Sequence, residues 1–225
     1  MVDEGTSIHG IEAILFDMDG TIVDSEVLTD RCVDRLLGEL GVPGRDLDHQ
    51  SLHGMTWPRV AEELRRLEPT LEGQEIAHRL RERFHRSFVE DDPPFIPGAG
   101  AALREALKRF PTAIVTTSNR ECLEHLAARM GLRDILEHSV SAEDFEKSKP
   151  DPESYRLAAK RLGVEPARCL AFEDSRAGLG AAKGAGMWTV AISRQWADTK
   201  GSETLADLIV DDFTDLPESF FESIR

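Results

Sequence analysis

Ala13-Ile14-Leu15-Phe16 is an unbroken apolar run that stops abruptly at Asp17-Met18-Asp19-Gly20-Thr21. A short run without polar alternation reads as a strand buried on both faces, and such strands belong to parallel sheets covered by helices. The pattern recurs at Thr112-Ala113-Ile114-Val115 and at Cys169-Leu170-Ala171-Phe172, and a last short strand is expected near Leu208-Ile209-Val210. Strand and helix alternating along the chain predict an α/β protein built on a doubly wound parallel sheet. In open sheets of this kind ligands sit beyond the carboxyl ends of the strands, where these polar endings fall.

Each ending has its own chemistry. Asp17 and Asp19, followed by Gly20 for a tight turn, offer hard oxygen ligands to a divalent cation and a spare carboxylate for covalent or acid/base work. The plain alternative is an Asp-rich turn. Thr116 stands at the tip of the second strand, ahead of an amphipathic helix expected from about Arg120. A hydroxyl beside the N–H groups of a starting helix cradles a phosphate, although the same residue can be an ordinary cap. Lys149 lies in Glu146-Lys147-Ser148-Lys149-Pro150-Asp151-Pro152, where Pro150 keeps it out of helical geometry and in a stiff loop. Lys147 is its near neighbour. Glu173 and Asp174 close the third strand just before a helix that runs on from Ser175, a place where acids also serve as caps.

In this order the four stations resemble the motifs of the haloacid dehalogenase-like hydrolases: Asp-x-Asp-Gly-Thr, a Thr or Ser, a Lys-Pro-x-Pro lysine and an acidic pair. The likeness runs from Ile14 to about Met187. It implies a Rossmann-like core and a Mg²⁺ ion held by the Asp17 carboxylate, the Asp19 backbone carbonyl, Glu173 and Asp174. It also implies that Thr116, the Thr117 N–H and Lys149 grip the phosphoryl oxygens. Asp17 would then be the nucleophile that forms an aspartyl-phosphate, and Asp19 the general acid and base.

Between the first and second stations no strand is expected. Helical periodicity marks Leu28 to Leu40, Trp57 to Leu67 and Glu75 to Phe88, and Pro93-Pro94 and Pro97-Gly98 punctuate the return. This resembles the family's helical cap, giving a core of residues 1–26 and 93–225, a cap of 27–92, and a hinge near Asp24 and Ser25. His53-Gly54-Met55-Thr56-Trp57 resembles the family's specificity loop, although Met55 and Trp57 serve equally as cap core. The basic run from His78 to Arg86 reads as a solvated helix side rather than an anion-recognition face.

The family resemblance also separates reactions. Phosphonate cleavage needs a cap lysine, and no lysine occurs from Met1 to Leu107. The β-phosphoglucomutase-like branch carries a His and an Arg where this chain has Thr29 and Trp57. The expectation is therefore a phosphatase acting on a small phosphorylated metabolite, a sugar or sugar-acid phosphate. A phosphosugar mutase and a non-catalytic phosphometabolite-binding module are the alternatives.

Charge and composition set limits. A net charge of -15 argues against nucleic-acid binding, which demands surplus Lys and Arg. No apolar run approaches the roughly 20 residues of a membrane span, and an acidic, polar N-terminus is not a secretory signal. The three cysteines, Cys32, Cys122 and Cys169, lie far apart, as buried thiols in a reducing cytoplasm would. Gly178-x-Gly180-x-x-x-Gly184 superficially suggests a dinucleotide loop, but Glu173 and Asp174 would repel a pyrophosphate. Close packing of that helix on the sheet is the better reading.

Overall fold

The computed structural model describes residues 8–42, 47–52, 55–73, 75–194 and 203–225. Five strands, β1 (Ala13–Phe16), β2 (Thr112–Ile114), β3 (Cys169–Glu173), β4 (Trp188–Ile192) and β5 (Leu208–Val210), form one parallel sheet in the order β2-β1-β3-β4-β5. Every residue of β1, β2 and β3 is buried, which explains why their sequences run apolar without alternation. The chain leaves β1 toward β2 on one side and returns to β3 on the other. That reversal opens a crevice at the carboxyl end of β1, so topology alone points to the residues after Phe16.

Register fixes which faces those residues share. Phe16 pairs with Phe172 across β1 and β3, and their rings stack at 4.8 Å on one side of the sheet. Phe213, Phe220 and Phe221 extend this aromatic layer. Alternation then puts the next residues, Asp17 and Glu173, on the opposite face with Leu15 and Ala171. There they meet the layer made by α6 (Glu153–Leu162) and α7 (Arg176–Ala185), whose Tyr155, Ala158, Ala181 and Ala182 form one core cluster with the strands. Helices α4 (Ala99–Arg109) and α5 (Arg120–Met130) and the short α8 (Phe220–Ser223) belong to the same unit.

The described residues fall into two compact units, one drawn from Met1–Asp24 and Pro94–Arg225 and one from Ser25–Pro93. At the boundary Val23 bridges Phe95 antiparallel, and the Asp24 N–H donates to the Pro94 carbonyl at 2.8 Å. The smaller unit holds α1 (Glu26–Glu39), α2 (Trp57–Leu67) and α3 (Ile76–Asp91) and no strand among its described residues. Leu28, Cys32, Leu36, Leu80, Phe84 and Phe88 line its interior. Trp57 packs its ring 5.3 Å from that of Phe84, and Thr29 is buried on α1. His53 and Gly54 lie outside the described residues. In the basic run, Arg79 and Arg83 of α3 pair with Glu39 of α1, a solvated helix side tied to its neighbour.

All three cysteines are buried thiols outside any disulfide. Among the described residues no helix is long and apolar enough to cross a membrane. The glycines of α7 allow close packing, as expected. A Cβ on Gly178 would stand 1.7 Å from the Glu173 carboxylate, and Cβ atoms on Gly180 and Gly184 would meet Pro150 and Pro152 at 3.5 Å. The helix packs on the sheet through Ala181 and Ala182, and its glycines let it close on the end of β3 and on the lysine loop as well.

Candidate active site

The polar endings of β1, β2 and β3 meet in one place. Asp17 continues the β1 ladder, its N–H donating to the Phe172 carbonyl at 2.9 Å, so its carboxylate is fixed beside that of Glu173. Gly20 adopts a positive φ of 81°, and a Cβ there would sit 2.1 Å from Asp174 Oδ2. Only glycine lets the turn after β1 approach Asp174 so closely. Thr21 then donates to Asp174 Oδ1 at 3.2 Å.

Oxygens of Asp17, Glu173 and Asp174 lie within 4.8 Å of one another, all three residues being buried. Lys149 reaches into this cluster, with Nζ 2.5 Å from Asp17 Oδ1, 2.6 Å from Glu173 Oε1 and 3.1 Å from the Val115 carbonyl. Its own loop is braced from α6, where Glu153 accepts from the backbone N–H groups of Glu146 and Lys147. Burial would lower the Lys149 pKa, but the charges of Asp17 and Glu173 overcome it and raise it. Asp17 is pushed up to about 8, first by burial and then by the charge of Glu173, with Lys149 pulling the other way. Asp17 and Glu173 share one buried ammonium, and with Asp174 beside them this all-oxygen set has the hard donors that a divalent cation takes.

Asp19 is turned toward the second strand. Its Oδ2 accepts from Thr116 Oγ1 at 3.1 Å and from Ser118 Oγ at 2.8 Å. Thr116 Oγ1 in turn accepts from the Ser118 N–H at 2.9 Å. Thr117 is exposed at the start of this turn.

The start of α5 does not provide the open helix end expected from the sequence. The Arg120 N–H donates to both oxygens of Glu143 at 3.0 Å, and the Cys122 N–H donates to the Asn119 side chain at 3.0 Å. An anion there would have to displace a carboxylate.

The structure therefore brings Asp17, Asp19, Thr116, Lys149, Glu173 and Asp174 together, with Thr117 at the edge of the same turn. Sequence reasoning missed Ser118, Tyr155 and Glu143. Ser118 and Glu143 act through contacts with residues far off in sequence, and Tyr155, the sole tyrosine, carried a signal only in its place one turn into α6.

The model of the haloacid dehalogenase-like hydrolase family matches residues 11–186 of this chain. The chain is 31% identical over 207 residues to the validoxylamine A 7'-phosphate phosphatase of Streptomyces hygroscopicus subsp. limoneus, covering 90% of this chain and 94% of that protein. It is 32% identical over 184 residues to the fructose-1-phosphate phosphatase YqaB of Escherichia coli (strain K12), covering 80% and 95%. Its fold superposes on CbbY from Rhodobacter sphaeroides in complex with phosphate with a TM-score of 0.73 and 30% identity, covering 94% and 99% of the two chains. The protein belongs to the haloacid dehalogenase-like hydrolases.

Proposed function

We propose that the protein is a Mg²⁺-dependent phosphatase that hydrolyses a small phosphorylated metabolite, a sugar or sugar-acid phosphate, through an aspartyl-phosphate on Asp17. The observation that carries this is the buried Asp17 carboxylate, held 2.5 Å from Lys149 inside an acidic cluster at the carboxyl end of β1. The phosphatases among its relatives, which act on phosphorylated carbohydrates, support the substrate class.

The chemistry follows from charge. A phosphate monoester is an anion, and Asp17 is an anion that must attack it. Mg²⁺ would be held by the carboxylates of Asp17 and Asp174 and the backbone carbonyl of Asp19, with Glu173 also in reach; when bound it supplies the positive charge that offsets both anions. Thr116, the Thr117 N–H and Lys149 take the remaining phosphoryl oxygens. Asp17 attacks phosphorus in line with the departing oxygen, the P–O bond to the alcohol breaks, and Asp19 gives that oxygen its proton. Asp19 then takes a proton from the water that hydrolyses the acyl phosphate.

Each Thr116 hydroxyl has one proton, and it is spent on Asp19 in this structure. A phosphoryl group that takes it releases Asp19 from the Thr116 hydroxyl and leaves the bond from Ser118 in place. Binding of the anion is thereby coupled to freeing of the acid.

The test is phosphate release from a panel of phosphorylated sugars and sugar acids in Mg²⁺. A hydrolase yields inorganic phosphate without any bisphosphate activator. With β-glucose 1-phosphate and a trace of the 1,6-bisphosphate, rapid formation of glucose 6-phosphate with little free phosphate would instead make this a mutase. Failure to hydrolyse any member of the panel would favour a binding module.

A further inference from the structure

Glu173 is fully buried, and its carboxylate is already spoken for. Oε1 accepts from Lys149 Nζ at 2.6 Å and from the Tyr155 hydroxyl at 2.8 Å. Oε2 accepts from the Ser175 N–H at 3.2 Å and the Ser175 hydroxyl at 3.1 Å. An ionised carboxylate has about four lone-pair directions, so four donors fill it. Gly178 closes the space behind, since any side chain there would collide with Glu173. A cation entering beside Glu173 would have to break one of these bonds.

Tyr155 is the buried member of this set that no motif contains. Its phenol lies on α6, on the face where alternation places Glu173, and Lys149 Nζ sits 5.1 Å from its ring centroid. Ring and hydroxyl thus touch both partners of the Lys149–Glu173 pair. A lysine stem has several rotors and a compact charge that fits many positions, so its aim depends on what surrounds it.

We propose that Tyr155 is a positioning residue that fixes Glu173 through its hydroxyl, that Glu173 so fixed holds the Lys149 ammonium against Asp17, and that Glu173 is the anchor of Lys149 and not a ligand of the cation. The inference rests on the reading above, in which Lys149 grips the phosphoryl group and Asp17 and Asp174 hold Mg²⁺. Glu173 and Asp174, adjacent in sequence, then divide their work. Strand alternation turns one toward Tyr155, and the turn after β3 leaves the other against Gly20 and Thr21.

The experiment measures the affinity of the full chain for Mg²⁺ alone, and for inorganic phosphate in saturating Mg²⁺, by calorimetry. Tyr155→Phe keeps the ring and removes only the hydroxyl. It should leave Mg²⁺ affinity within about twofold and weaken phosphate by roughly tenfold, the scale of one hydrogen bond to a charged group. Glu173→Gln should likewise spare Mg²⁺ and weaken phosphate at least as much, whereas Asp174→Asn should abolish Mg²⁺ binding. A simple packing defect would lower both affinities together.

Loss of Mg²⁺ binding in Glu173→Gln equal to that in Asp174→Asn would overturn the division of roles. Unchanged phosphate affinity in Tyr155→Phe would overturn the role of Tyr155. If Glu173→Gln does not fold, the Tyr155→Phe comparison decides alone. Retention of Mg²⁺ binding by Asp174→Asn would strike the metal reading itself, and the phosphate measurements would still judge Tyr155.

Discussion

Two acidic clusters stand near the carboxyl end of the same sheet and are built to opposite ends. Around Asp17, three carboxylates are buried together, two of them, Asp17 and Glu173, share the Lys149 ammonium, and Asp17 is pushed up to about 8 by burial and by Glu173. Around Asp144, the carboxylate accepts from the Ser141 N–H at 2.9 Å, from Arg161 at 2.7 Å and from Arg120 at 2.5 Å. Partial burial would raise the Asp144 pKa, but the Arg161 hydrogen bond, the Ser141 N–H and the arginine charges bring it down to about 2. In the first cluster burial and like charge raise the pKa of an acid, and in the second two arginines lower it. A fold that tolerates the first must recover its cost elsewhere, and raised carboxyl pKa values of this kind concentrate at functional sites.

The sharpest way to break this comparison is to neutralise one acid in each cluster. Asp17→Asn keeps the shape and removes the attacking charge, so turnover should fall by at least about three orders of magnitude, roughly 4 kcal/mol of barrier. Its fold should survive without loss of melting temperature in EDTA, because below about pH 8 the metal-free Asp17 already holds a proton and the neutral amide replaces a neutral acid. A variant that retains more than a tenth of wild-type activity would end the covalent role of Asp17.

A smaller effect separates Asp19 from its neighbour. Asp19→Ala should still bind Mg²⁺ and phosphate, and should lose about two to four orders of magnitude on alkyl phosphates, the usual range for acid–base catalysis. Aryl phosphates, whose leaving oxygens need little protonation, should lose much less. Ser118→Ala should reproduce the same bias at reduced size, since Ser118 holds Asp19 Oδ2 at 2.8 Å. Equal losses on both substrate types would mean that Asp19 does something other than move a proton.

The acidic cluster of the active site also predicts how metal-free protein responds to pH. The folded Asp17 pKa is pushed up to about 8, against 3.8 for an ordinary aspartate. Across that window the folded state keeps a proton that the unfolded chain has released. Its stabilisation is thus complete below the lower value and is lost as pH rises through the higher one. In EDTA the melting temperature should therefore decline from pH 5 to pH 8. Mg²⁺ should raise it more at pH 8, where it no longer competes with that proton. A Mg²⁺ shift of the same size at both values would contradict the link between Asp17 and the cation.

Much of this was legible in the chain. The strands could be read because Ala13–Phe16 and Cys169–Glu173 are buried on both faces and need no alternation to resolve. Asp17, Lys149 and Asp174 could be read because their motifs are contiguous, with a turn glycine or a proline fixing the backbone beside them. What stayed hidden depends on contacts across the fold. Tyr155 lies 18 residues from the carboxylate it serves, and Glu143 fills the end of a helix that begins 23 residues earlier. The sequence pattern showed a helix starting at Arg120, but whether its first N–H was open depended on a loop the pattern could not place.

The smallest expected effect tests the satisfied cluster. Asp144 has a folded pKa of about 2, below the 3.8 of an ordinary aspartate, so its contribution to stability is present above the higher value and is lost as pH falls through the lower. Asp144→Asn keeps the volume but gives up the charge that Arg120 and Arg161 share. It should cost about 1–2 kcal/mol at pH 7, a few degrees of melting temperature for a chain of this size, and the difference from wild type should vanish by about pH 2. The cluster braces the turn that carries Thr116 and Ser118, because the Ala142 N–H donates to the Ser118 carbonyl at 3.0 Å. Even so, the variant should retain most of its turnover at 25 °C, because none of its lost contacts touches Asp17 or Lys149. If Asp144→Asn instead lost activity as deeply as Asp17→Asn while melting normally, the two clusters would have to be regarded as one site, and the contrast between a cluster that needs a cation and one that does not would fail.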